Sequence, residues 1–72
     1  MNKETAIEKA KKEAKKVYAE IALEAFEVTA TDEPTHWTVD FTNTRALVRG
    51  EGHHFSVRVT KSDGTTQLLR GR

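Results

Sequence analysis

Cysteine is absent from this chain, so neither a disulfide framework nor a thiolate metal site can supplement its core. That removes the small disulfide-stapled scaffold and the zinc ribbon together. Charge of one sign is lacking too. Twelve Lys and Arg against eleven Asp and Glu leave a formal +1, which gives no overall field for capturing nucleic acid or an acidic membrane. No apolar run approaches the ~20 residues of a membrane span, and Met1-Asn2-Lys3-Glu4 leads into a charged segment rather than an apolar signal core. The expectation is a soluble cytoplasmic protein with no membrane partner. With 72 residues the chain has room for one core, so residues 1–72 are read as a single small α+β domain. A core of that size leaves a net stability of roughly 3–5 kcal/mol.

What is present is periodic. Residues 3–27 contain neither Gly nor Pro and are rich in Ala, Glu and Lys, which predicts one long N-terminal helix. Ile7, Ala10, Ala14, Val17, Tyr18, Ile21, Ala25 and Val28 follow the three-four spacing of one helical stripe, the predicted core face. Asn2 is placed to cap the helix and Glu4 to meet the positive end of its dipole. Past it, β-branched residues and Pro34 disfavour helix, and residues 28–31 read as already extended.

Residues 36–42 alternate, with Trp37, Val39 and Phe41 on one face and His36, Thr38, Asp40 and Thr42 on the other. Residues 53–60 alternate again, with Phe55, Val57 and Val59 inward. Between them, residues 43–52 read as an irregular arm with a turn at Gly50-Glu51-Gly52. Ser62-Asp63-Gly64-Thr65 is a hairpin signal, since Asp and Gly tolerate positive φ, and residues 65–70 form a third strand. The predicted architecture is αβββ: one helix on a three-stranded antiparallel meander with a polar outer face.

Few residues suggest chemistry. Neither Ser56, in a strand, nor Ser62, in a turn, belongs to a nucleophile, base and orienting-acid set, so no enzyme, catalytic residue or cofactor is expected. His53 and His54 are adjacent on a strand and point to opposite faces, leaving His36 and His54 without the further ligands a metal site needs. The aromatics Trp37, Phe41 and Phe55 lie on the inward register, which removes the base-stacking surface of an RNA-recognition sheet.

The candidate binding residues are Arg45 and Arg49, which flank the irregular arm and can fork onto an anion, with His54, Arg58 and Gln67 on the outer sheet. Arg58 also has a structural role open to it, as cross-strand partner of Asp40. The helix lysines Lys3, Lys9, Lys11, Lys12, Lys15 and Lys16 alternate with Glu4, Glu8 and Glu13 and read as a solvated face.

Ala6-Ile7 and Tyr18 on an Ala-rich helix, then Trp37-x-Val39-x-Phe41, Phe55-x-Val57-x-Val59 and the Asp63-Gly64 turn, resemble the helix-plus-three-strand modules of PepSY-like and cystatin/NTF2-like small domains. The resemblance implies a non-catalytic module acting through protein contact. The cystatin Q-x-V-x-G inhibitory loop is missing, since the linker reads Arg49-Gly50-Glu51-Gly52. The expected function is therefore an interaction or accessory module that binds a protein partner, or a second copy of itself, through a sheet edge or the outer face. The alternative is nucleic-acid or other polyanion binding through the helix lysines and loop arginines. If the third strand is the edge, with its Gln67 amide facing out, proline at Gln67 should abolish association and leave the monomer folded.

Overall fold

The computed structural model describes residues 2–19, 23–43 and 54–70, Arg70 by its backbone alone. The helix α1 spans Lys3–Val17. Asn2 caps it as expected, its Oδ1 accepting the Thr5 amide at 2.9 Å, and Glu4 in the first turn with Lys15 and Lys16 in the last match the helix dipole. The expected helix through residue 27 does not form. The Tyr18 amide donates to the Ala14 carbonyl at 2.8 Å to close α1. A single 3₁₀ turn at Leu23–Ala25 follows, and then a strand, β1, Phe26–Asp32.

Length gives the physical reason. Fifteen helical residues rise about 22 Å, close to the span of a strand of seven or eight residues at about 3.3 Å each. Ten more would project about 15 Å beyond the sheet, with no described element there to cover their apolar side chains. As a strand, Phe26, Val28 and Ala30 all turn to the core side while Glu27, Thr29 and Thr31 are exposed.

The sheet is accordingly four-stranded rather than three-stranded. Strands β2 (His36–Asn43), β3 (His54–Thr60) and β4 (Thr66–Arg70) complete an antiparallel sheet of order β1-β2-β3-β4. The fold is α+β in the order αββββ. The β3–β4 hairpin is the predicted one: Gly64 takes φ +73°, Thr65 donates its amide to Asp63 Oδ1 at 2.9 Å, and Thr60 donates to the Thr65 carbonyl at 2.9 Å. Two hydrogen bonds from Thr65, its hydroxyl first and its amide second, hold the Asp63 carboxyl below its ordinary value.

The core lies between one face of the sheet and α1. Val39, Phe41, Val57 and Val59 are fully buried and Phe55 nearly so; each contributes about 1.5–3 kcal/mol of burial. Against them the helix presents Ala6, Ala10 and Ala14, all at 0% exposure. Small residues at i, i+4 and i+8 let the helix backbone lie close to the strands. This centres the buried stripe on Ala6, Ala10 and Ala14, so that Ile7 and Tyr18 pack at its margin and Val17, expected inside, is 44% exposed. Phe55 joins four elements: its ring lies 4.7 Å from Phe41 in a stack, 5.3 Å from Tyr18 and 5.6 Å from Phe26.

Candidate functional site

The strand register sorts every sheet residue to a face. Cross-strand partners share a face, so Glu27–Thr42–His54, Thr29–Asp40–Ser56–Leu69 and Thr31–Thr38–Arg58–Gln67 form rows on the side away from the helix. His54, Arg58 and Gln67 are therefore brought onto one outer face, with Gln67 directly opposite Arg58. His54 stands four residues along β3 from Arg58, about 13 Å away.

The expected Arg58–Asp40 pair does not form. Arg58 faces Thr38 and Gln67, whereas Asp40 faces Thr29 and Ser56. Asp40 instead has His54 Nε2 at 3.7 Å from its Oδ1, and His54 Nδ1 lies 3.3 Å from Thr42 Oγ1. His36 lies at the opposite end of β2 from Thr42, about 20 Å away, so His36 and His54 share a face but cannot share an ion. Among the described residues no group of three or more His, Cys, Asp or Glu is placed to hold a metal. Arg45 and Arg49 lie outside the described residues, as does His53.

Trp37 is half-buried rather than enclosed, at the hairpin end of the sheet. Lys61 Nζ lies 5.5 Å above its ring centroid and pairs with the Asp32 carboxylate. The indole N–H is buried without a hydrogen-bond partner, a cost of about 1–3 kcal/mol that the surrounding packing offsets.

Two strands are edges, and β4 is one of them, as the sequence suggested for residues 65–70. The strand expected at residues 36–42 is internal, because β1 pairs along its other side. Which β4 amides face out follows from the hairpin. Thr60 and Thr65 form a hydrogen-bonded site, and such sites alternate along an antiparallel ladder. The Gln67 and Leu69 amides therefore point into β3, while those of Thr66, Leu68 and Arg70 point outward. The other ladders agree: Lys61 donates to Thr35 across β2–β3 and Glu33 to His36 across β1–β2. This corrects the role expected of Gln67. Its amide belongs to the β3 ladder, and proline there would break the sheet rather than block its edge.

Beside this edge, which no described residue covers, lies one flank of the charged helix face. Lys9, Lys12 and Lys16 follow i, i+3, i+7 spacing and form the flank of α1 next to β4. With Lys15, Gly64 and Thr66 they line an open groove of about 530 Å³. Glu13, its one acidic lining residue, accepts the Thr66 hydroxyl at 3.0 Å in a part-buried contact, which pins the helix to the edge strand. The Lys9 ammonium lies 3.1 Å, and its Cε 3.3 Å, from where a Cβ on Gly64 would sit. Four lysines against one engaged carboxylate make the groove cationic. The signal was in the sequence, since these lysines flank the alanine stripe, but nothing local told which strand would lie beside them.

No helix among the described residues is long and apolar enough to cross a membrane. Comparison with family models, with curated proteins and with solved structures finds no match to this chain.

Proposed function

We infer that this protein is a non-catalytic binding module that takes up an extended segment of a protein partner as a fifth strand on β4. The observation that carries the reading is the outward-facing amide row of Thr66, Leu68 and Arg70 on an edge strand, beside an open groove. Unpaired main-chain groups are a pairing template, and strand addition draws affinity from them while side chains alternate between the two faces. Burying this edge also adds apolar contact to a small core, which gains from it.

Self-pairing is the weaker form of this reading. Two copies joined antiparallel through β4 would bring both helices to the same face, with their Lys9, Lys12 and Lys16 flanks opposed. Like charges brought together in this way oppose association.

Panning a random-peptide display library against the parent protein and a Leu68→Pro variant tests the proposal. Leu68→Pro removes one outward amide without touching the β3 ladder but also a side chain packed against the core, so Leu68→Ala, which keeps the amide, is the control, and far-UV circular dichroism checks that both fold. Enriched peptides that bind the parent and lose binding to Leu68→Pro support strand addition. Enrichment that survives equally on the variant refutes it.

A further inference from the structure

The geometry points to an acidic extended peptide, with carboxylates at alternate positions, as the segment that β4 accepts; this rests on the strand-addition reading above and names its partner. The argument is one of spacing and sign. On an added strand, side chains facing α1 recur every two residues, about 6.6–6.8 Å apart. Lys9 and Lys16 are separated by about 10.5 Å of helical rise, with Lys12 between them. Two intervals of an extended chain cover about 13 Å, and the reach of three flexible lysine side chains makes up the difference, so three alternate Glu or Asp residues each meet a lysine. The lysine flank lies on the helix side of the edge, held there by the Glu13–Thr66 contact. Glu13 keeps its negative charge and forms no ion pair with a groove lysine, so four ammonium groups against one carboxylate leave the groove net positive toward a ligand.

A cationic flank alone would equally suit a nucleic acid. The favoured occupant is a peptide because the groove adjoins a row of free main-chain donors and acceptors that only another polypeptide strand can satisfy in register. On the opposite sheet face the described aromatic residues contribute nothing to stack a base, since Phe41 and Phe55 are in the core and Trp37 faces it.

The test uses a fluorescein-labelled, end-capped peptide, Thr-Glu-Val-Glu-Thr-Glu-Thr, with three controls: the same peptide with Lys for each Glu, the same peptide N-methylated at alternate residues, and a labelled oligothymidine. Binding is read by anisotropy at 50 and 200 mM salt, and the site by amide chemical-shift changes. The expected result is binding of the acidic peptide with shifts at Thr66, Leu68 and Arg70, weakened about tenfold or more in a Lys12→Glu/Lys16→Glu variant, as two reversed ion pairs predict. N-methylation should abolish it.

Equal binding of the lysine peptide at the same amides would overturn the acidic partner while leaving strand addition standing. Acidic-peptide binding that survives N-methylation, or oligothymidine binding as tight as the peptide's, would overturn strand addition and leave a polyanion site on the lysines. No binding of the acidic peptide at 50 mM salt would overturn this inference, while the library experiment still decides strand addition.

Discussion

Phe55 should be the residue on which folding depends most. Its ring is 5% exposed and meets three other rings, Phe41 at 4.7 Å, Tyr18 at 5.3 Å and Phe26 at 5.6 Å, so it ties β3 to β2, β1 and the end of α1. Truncation of a buried Phe to Ala costs about 3–5 kcal/mol, and each aromatic pair adds about 0.5–1.5 kcal/mol beyond area burial. A core of this size supplies roughly 3–5 kcal/mol in all. Phe55→Ala should therefore be unfolded at 25 °C. Phe55→Leu, which keeps most of the volume and loses the ring geometry, should fold with about 1–2 kcal/mol less stability. Urea unfolding followed in parallel by Trp37 fluorescence and far-UV circular dichroism reads both, coincident curves establishing a two-state transition. A Phe55→Ala protein that keeps a cooperative transition within about 1 kcal/mol of the parent would refute the assignment of Phe55 as the joint of the core.

Trp37→Phe should cost less than about 1 kcal/mol in urea unfolding, because the lost contact area is offset by removing a buried N–H that has no acceptor; a loss above 3 kcal/mol would mean that the indole nitrogen is bonded in solution. Gly64→Ala should destabilise the hairpin by about 1–2 kcal/mol, since φ +73° is costly for an L side chain, while the Lys9 ammonium that the new Cβ meets can swing aside. Thermal melts that coincide with the parent's would contradict that turn geometry. The Asp63 carboxyl titrates below its ordinary value of 3.8 because Thr65 donates hydrogen bonds to it. Its support of the turn should be complete above the unfolded-state value and be lost as the pH falls through the folded one. The Asp63 carboxyl shift in a carbon-detected NMR titration checks this, and a midpoint at or above 3.8 would contradict the turn's hydrogen bonds.

The sequence by itself determined the strands read at residues 36–42 and 53–60, found as His36–Asn43 and His54–Thr60, because a two-residue apolar alternation fits only a half-buried strand and can be read without knowing the partner. It determined the Asp63-Gly64 turn, whose backbone demands act within four residues, and the Asn2 cap for the same reason. It determined the inward register of Phe41 and Phe55. Tertiary structure decided the rest. Residues 18–32 carry good helix formers, then a segment in which Phe26, Val28 and Ala30 satisfy a strand while Ala25 and Val28 equally continue a helical stripe. Only the length of the sheet and the open side of β2 favour the strand. Arg58 and Asp40 were correctly placed on one face, but their pairing depended on a register that the amino-acid pattern between their strands does not specify.

The candidate site was the least legible part. An edge exists only relative to a whole sheet, and the direction of each β4 amide follows from the hydrogen-bonding phase of its neighbour. The lysine groove needs α1 to lie beside β4, a placement set by the contact of Ala6, Ala10 and Ala14 with the sheet and by the Thr66–Glu13 bond across 53 positions of sequence. Lysine spacing is local and was visible in the chain. What it faces is a long-range property, fixed only when the helix docks.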